Sequence, residues 1–379
     1  MAYLISNDAQ DLLQDIRLFC TNEVREACRE ADRTGEFPEE VYRKAAELQL
    51  QTLSIPEAYG GPGLDMVSVA ALLEEMGRAD AGFADTIAAT WLALGPVLAA
   101  GSESQKQKCC QMLLDGGYGA FALTEPMAGS DAGAGRATAV RDGDSYILNG
   151  RKCFITNGGF ASFYVVTALT DKNLGTKGLS AFLVEAGTPG LSFGKHEDKM
   201  GIRASRTCDV VLDDCRIPAE NLLGEEKQGF SIAMDALNRG RIWIGCVATG
   251  IAQRAMDEAV AYGKERIQFG KPILKNQAMQ FKIADMSIQI ETARQMVAHA
   301  LTLQEQGLPF AREAAIAKCY ASDIAMKVTT EAVQMFGGYG YIREYPVEKL
   351  MRDAKICQIF EGTNEILHVV IANQLLGKF

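Results

Sequence analysis

Over the first third of the chain, apolar residues recur at spacings of three and four: Leu12, Ile16 and Phe19, then Val67, Ala71, Leu72 and Met76. That is the period of an amphipathic helix, so residues 8–117 are predicted to form a run of helices. Pro56, Gly60, Gly61, Pro62 and Gly63 mark a loop within it, and Gly95-Pro96 predicts a break in the later helical stretch. Near residue 118 the period changes. Residues 163–167, 180–184 and 208–212 are short β-branched or aromatic runs separated by Gly and Asp clusters, and the stretch 145–150 ends in a turn. These read as a small all-β unit. From Gly229 helices return and lengthen. Met279, Ile283, Met286, Ile290, Ala293, Val297 and Leu301 make one apolar stripe, the core face of a bundle helix. The expected fold class is therefore multidomain α+β, with an N-terminal helical domain over 1–118, a middle β domain over 119–226 and a C-terminal helical bundle over 227–379.

Composition narrows the partners. An apolar fraction of 48% and a charged fraction of 23% are those of an ordinary globular chain, and 379 residues are enough for two or three domains. A net charge of −10 argues against nucleic acid or an anionic membrane surface, both of which want clustered Lys and Arg. Ten scattered cysteines without a C-x-x-C pair read as free, packed thiols in a reducing cytosol. The start at Met1 shows no secretory signal, Arg-rich presequence or membrane span, so a bacterial cytoplasmic protein is expected, with a mature mitochondrial form as the alternative. No metal is expected: Glu365 and His368 form a single Glu-x-x-His, where a di-iron bundle needs two with further Glu, and the chain has three His in all. No nucleophile elbow occurs either.

The segment 358–367 carries chemistry. Glu361 stands between a bulky apolar run and Gly362, and Thr363-Asn364 is a good helix N-cap. A carboxylate in a tight apolar turn at a helix start can be tuned as a base by burial. Alone, a Glu-Gly pair more often marks a solvated loop tip. Two further segments change that: Phe121-Ala122-Leu123-Thr124-Glu125-Pro126-Met127-Ala128-Gly129-Ser130-Asp131, and Arg151-Lys152-Cys153-Phe154-Ile155-Thr156-Asn157-Gly158. With 198–203, 266–271 and 334–340, they resemble the acyl-CoA dehydrogenases over essentially the whole chain, and the short-chain, butyryl-CoA branch most.

The resemblance implies the same three-domain fold, ending in a four-helix bundle, with FAD in a groove between the β unit and the bundle. Pattern alone proposes no flavin, since Gly133-Ala134-Gly135 and 337–340 lack the contexts of a nucleotide fingerprint. Phe121, Leu123, Thr124, Gly129, Ser130, Phe154, Ile155 and Thr156 then fall beside the isoalloxazine. Thr124, Thr156 and backbone amides can bond its polar edge, and Phe154 can stack on it. Arg266 supplies a cation for the pyrophosphate and Phe269 packs an adenine. The helix beginning at Thr363, with Glu365 in its first turn, offers amides to a phosphate. Arg266, Phe269, Gln277, Gln334, Gly337 and Gly338 reach the flavin of a neighbouring subunit, which implies a homotetramer built as a dimer of dimers.

On the substrate side stand Ser130 and the helix over 230–250, where Leu237, Arg241, Ile244 and Ala248 share one face and Gly240 lies beside it. This reads as an apolar tunnel wall with one Arg at its mouth, closed by Phe360 and Gly362. Asn238 stands where relatives often carry Asp, which leaves its contact to CoA open. Trp243 points off the stripe and reads as packing. Some family branches place the base at the position of Gly240; with Gly there, the base is Glu361. Gly240 and Gly245 also leave room for a branched or aromatic acyl group as well as a butyryl one. The implied reaction removes the pro-R α-hydrogen of an acyl-CoA as a proton to Glu361 and the β-hydrogen as hydride to flavin N5, giving a trans-2-enoyl-CoA. Glu361 N–H and a flavin ribityl hydroxyl hold the thioester oxygen. An electron-transferring flavoprotein is the implied electron partner. The alternatives are an enoyl-CoA or acrylyl-CoA reductase running the same site backwards, an oxidase, and a non-catalytic scaffold.

Overall fold

The computed structural model describes residue 3 and residues 5–377; Met1, Ala2 and Leu4, part of the segment read for a presequence, lie outside the described residues. Six helices come first: α1 (Asn7–Phe19), α2 (Arg25–Thr34), α3 (Glu39–Glu47), α4 (Met66–Ala79), α5 (Ala81–Ala100) and α6 (Glu103–Leu114). Side-chain caps start four of them. Ser6, Asp65, Asp80 and Ser102 each accept from a backbone N–H of the first turn. The expected break at Gly95-Pro96 does not occur; α5 runs through Pro96. Proline forfeits one intrahelical bond, and burial of most of α5 against neighbouring helices outweighs it. By length and composition α5 could cross a membrane, but its largely buried surface marks it as a core helix.

The middle unit holds β1 (Gly119–Ala122), β2 (Thr138–Asp142), β3 (Ser145–Thr156), β4 (Phe163–Leu169), β5 (Leu179–Glu185), β6 (Leu191–His196), β7 (Thr207–Pro218) and β8 (Leu222–Leu223). They form one sheet in the order β6-β7-β3-β2-β4-β5-β8, with β1 parallel to β4. The β3–β7 register shifts twice, between Leu148 and Gly150 and between Lys152 and Ile155. Such bulges bend a strand and re-aim side chains, and the second one sits at Phe154.

Three long helices and two short ones follow, with a small hairpin after the first: α7 (Gly229–Glu265), β9 (Ile267–Gln268), β10 (Lys271–Pro272), α8 (Gln277–Glu305), α9 (Ala311–Phe336), α10 (Val347–Ile356) and α11 (Asn364–Leu376). The stripe on α8 buries Met286, Ile290, Ala293, Val297 and Leu301, as its period predicts. Helix α7 is the spine. It packs on α9 and α8 within the bundle and on α4 and α5 of the N-terminal domain, so one continuous core joins the two helical domains. All ten cysteines are free and buried.

Candidate active site

The turn between α10 and α11 carries Glu361. It closes on itself through Asn364 N–H, which donates to Gln358 O at 3.1 Å, and Thr363 caps α11 by accepting from Ile366 N–H at 3.4 Å. Glu361 and Gly362 both take positive φ, 57° and 95°. For a glutamate that conformation costs about 1 kcal/mol or more, and it persists only where the surroundings impose it. Two cations hold the carbonyls of the turn. Arg241 of α7 donates from Nε to Glu361 O at 3.3 Å and from Nη1 to Asn238 Oδ1 at 2.6 Å. Lys318 of α9 donates from Nζ to Gly362 O at 2.8 Å and to Asn364 Oδ1 at 3.0 Å. With the carbonyls held, the N–H groups of Glu361 and Gly362 make no hydrogen bond among the described residues.

The carboxyl group of Glu361 is itself unpaired: Oε2 is fully shielded and has no hydrogen-bond partner. Burial raises its pKa to about 8, against the pull of Arg241 and Lys318 and with a further push from Asp85. Gly240 of α7 lies directly against it; a Cβ there would stand 2.5 Å from Oε2. A shielded carboxyl with a pKa near neutrality can take a proton from a carbon acid.

Asp85 was not found from the sequence. It is 4% exposed, and its Oδ2 accepts from Ser205 Oγ at 2.9 Å and from Thr156 Oγ1 at 3.5 Å. Burial pushes its pKa up to about 6, opposed by Ser205, Lys199 and Thr156. The available signal was one carboxylate inside an otherwise apolar, twenty-residue stretch.

The segment 121–158 presents backbone and rings. Leu123 and Ile155 are buried in the protein, so they offer only main-chain groups outward, and Phe121, Thr124 and Thr156 are half-buried. Gly129 and Ser130 lie exposed on the loop after β1. A buried ion pair anchors that loop: Lys152 Nζ donates to Glu125 Oε1 at 2.6 Å, Leu123 O at 3.1 Å and Thr167 Oγ1 at 3.2 Å. Glu125 in turn accepts from the amides of Arg136 and Ala137. Phe154, at the bulge, has φ 58° and is 67% exposed. Phe269, on the β9–β10 turn, has φ 51° and is 98% exposed. Large aromatic rings held in a strained backbone and left in solvent want a partner. Such faces can stack on a flat aromatic group.

Arg266, Gln334, Gly337 and Gly338 line one cleft of about 430 Å³ with Tyr339, over whose ring the Arg266 guanidinium lies at 5.2 Å. Phe269 and Gln277, the latter exposed at the start of α8, are not in its lining, nor is any residue of 119–158 or 358–365. Glu365 is exposed in the first turn of α11. A cationic cleft of this kind can hold a phosphate chain.

Two parts of the predicted tunnel wall stand elsewhere. Arg241 is not at a mouth but buried beneath the Glu361 turn. Gly245 faces Val297 and Ala317, because five residues turn a helix about 140° beyond Gly240; its lack of a side chain serves helix packing. Ile244 and Ala248 join the main core, Leu237 and Phe360 are half-buried, and Trp243 packs edge-on against Trp91 at 5.4 Å. Among the described residues no cluster of metal-ligating side chains occurs.

Comparison with known proteins bears on this geometry. Family models match in chain order: the acyl-CoA dehydrogenase N-terminal domain over residues 6–117, the middle domain over 120–215 and the C-terminal domain over 227–376. The chain is 47% identical to the short-chain specific acyl-CoA dehydrogenase of Megasphaera elsdenii, over 99% of this chain and 100% of that one. It is 44% identical to the acryloyl-CoA reductase (NADH) of Anaerotignum propionicum, over 100% and 97%. A chain solved in work on the electron transferring flavoprotein of Acidaminococcus fermentans superposes with a TM-score of 0.97 at 46% identity, each chain covered over 100%. The chain therefore belongs to the acyl-CoA dehydrogenase family of flavin oxidoreductases.

Proposed function

We propose that the protein binds FAD and dehydrogenates a short-chain acyl-CoA to the trans-2-enoyl-CoA, with Glu361 as the base. The observation that carries this reading is the shielded, unpaired Oε2 of Glu361 beside Gly240. Bound FAD supplies the hydride acceptor. The strained aromatic faces of Phe154 and Phe269, the hydroxyls of Thr124 and Thr156, and the cation of Arg266 are suited to hold it. The acyl thioester enters between Glu361 and the 121–156 segment, with Ser130, Leu237, Asn238, Gly240 and Ile244 around it. The free N–H of Glu361 donates to the thioester oxygen, which acidifies the α-carbon and carries the negative charge that develops as the proton leaves. Phe360 and Gly362 keep water from the carboxyl, and the bound acyl group completes the shield. Arg241 beneath the turn is well placed to favour the ionised form of Glu361 before transfer.

Electrons pass to an electron-transferring flavoprotein, and the functional unit is a homotetramer in which the Arg266 cleft serves a neighbour's cofactor. We place the protein in the bacterial cytoplasm. A second reading runs the same site as an enoyl-CoA reductase; the 44% identity to an acryloyl-CoA reductase favours keeping it. The test is anaerobic addition of butyryl-CoA to the purified yellow protein. Bleaching of the flavin, slow recovery in air and fast turnover with an electron-transferring flavoprotein are expected. A protein without flavin, or one that no acyl-CoA bleaches, is not this enzyme. Rapid peroxide formation points to an oxidase.

A further inference from the structure

Lys318 is one of the largest fully buried side chains in the molecule, at 0% exposed, and nothing in the reaction as outlined uses it. A lysine so placed is costly unless its ammonium is paired or fully hydrogen-bonded. Among the described residues its ammonium is bonded to no carboxylate. Its two acceptors are instead the carbonyl of Gly362, the residue after Glu361, and the side chain of Asn364, which opens α11. Asn364 is itself held on α9: its Nδ2 donates to Ser322 Oγ at 3.0 Å and to Asp323 Oδ1 at 2.8 Å. Asp323 also accepts from Gln358 Nε2 at 2.6 Å, so both ends of the 358–364 turn are tied to one helix.

We propose that Lys318 is a positioning residue for proton abstraction: its ammonium clamps the carbonyl of Gly362 and so fixes both the carboxyl of Glu361 and the Glu361 N–H that receives the thioester oxygen. The inference rests on the reading of Glu361 as the base. Arg241 holds the preceding carbonyl from the opposite helix, α7. Two consecutive carbonyls turned inward onto cations leave two consecutive amides free, and that division sets the left-handed conformation of the turn. Removal of one clamp lets the turn relax toward ordinary φ, moving the base and the oxyanion donor together. The charge acts too. Lys318 opposes the burial that raises Glu361, while burial holds Lys318 down at about 8. The other groups that face the pair are Arg241 on α7, Asp85 on α5, Cys319 on α9 and Cys357 after α10.

The test isolates the proton step. Acetyl-CoA has α-hydrogens and no β-hydrogen, so loss of deuterium from its labelled methyl group, followed by mass spectrometry, reports abstraction without hydride transfer. Lys318→Met in the holoenzyme should slow exchange about 10- to 100-fold, the usual scale for a misplaced reactive group. FAD content and thioester affinity should stay near wild type. The pH at which exchange is half-maximal should rise, because a cation that favours ionised Glu361 is gone; a merely structural role would not move it. Asn364→Ala leaves the amine and removes its second anchor, so it should slow exchange several-fold with the pH profile unmoved. That variant carries the test if Lys318→Met does not fold. Wild-type exchange and an unshifted profile in Lys318→Met, or wild-type exchange in Asn364→Ala, overturn the proposal, provided Glu361→Gln has lost exchange. Exchange surviving in Glu361→Gln overturns instead the assignment of the base.

Discussion

A Cβ on Gly240 would lie 2.5 Å from Oε2 of Glu361, so the α7 backbone at this point and the carboxyl group compete for one space. A longer carboxylate side chain grown from position 240 must reach the same region of the cleft once Glu361 is shortened. Glu361→Gly should lose about 10²–10⁴-fold in flavin reduction by butyryl-CoA. Adding Gly240→Glu to it should restore at least tenfold. Stopped-flow bleaching of both variants decides this; a double variant as slow as the single one would show that position 240 does not face the α-carbon. In the wild-type background Gly240→Ala should also slow bleaching, since the carboxyl group must shift to admit even a methyl.

The unpaired carboxyl has a consequence for stability. The folded pKa of Glu361, about 8, lies above its ordinary value of 4.5. The folded state therefore keeps a proton that the unfolded chain releases, and the group costs stability as pH rises from about 4.5 through 8. Glu361→Gln removes that cost while keeping the shape. Its melting temperature should exceed wild type by a few degrees at pH 9, corresponding to on the order of 1–3 kcal/mol, and match it near pH 4. Scanning calorimetry of ligand-free protein at the two pH values checks this. A gain at pH 4 equal to that at pH 9 would rule out ionisation as the cause.

Asp85 raises Glu361 by its charge. Asp85→Asn keeps the bond to Ser205 and removes the charge, so Glu361 should ionise at lower pH and the rise of flavin reduction with pH should begin earlier. The same substitution removes a second buried carboxylate whose pKa is raised, so it should stabilise the protein above pH 6 and not below pH 4. An unmoved pH–rate profile would separate Asp85 from the base.

Much of this was legible in the chain. The change of period near residue 118 and its return at Gly229 located the helical, β and helical parts, because burial on one face imposes the period. The Thr363 cap and the apolar neighbours of Glu361 gave the turn and its perturbed carboxyl. What could not be read was long-range. Lys318, Asp85 and Lys152 sit in ordinary helix or strand patterns, and only the fold brings them to Gly362, Thr156 and Glu125. Local rules also misjudged Pro96, whose lost hydrogen bond is small against the burial of α5, and Gly245, whose role is helix contact rather than pocket space.

The cleft around Arg266 and the Glu361 site share no residue, although both are read as parts of an FAD site. If a neighbouring copy supplies the Arg266 cleft, cofactor and assembly are coupled. The guanidinium lies over Tyr339 and makes no salt bridge among the described residues, which leaves its donors for a pyrophosphate. Loss of one charge-assisted contact is worth about 1.5–3 kcal/mol, so Arg266→Ala should weaken FAD binding roughly 10- to 150-fold. Flavin-to-protein ratio and light scattering on the same chromatographic peak should fall together, with stripped protein moving from tetramer to smaller species and recovering on added FAD. A stable monomer that keeps one FAD per chain would break the coupling and place the whole cofactor site within a single subunit.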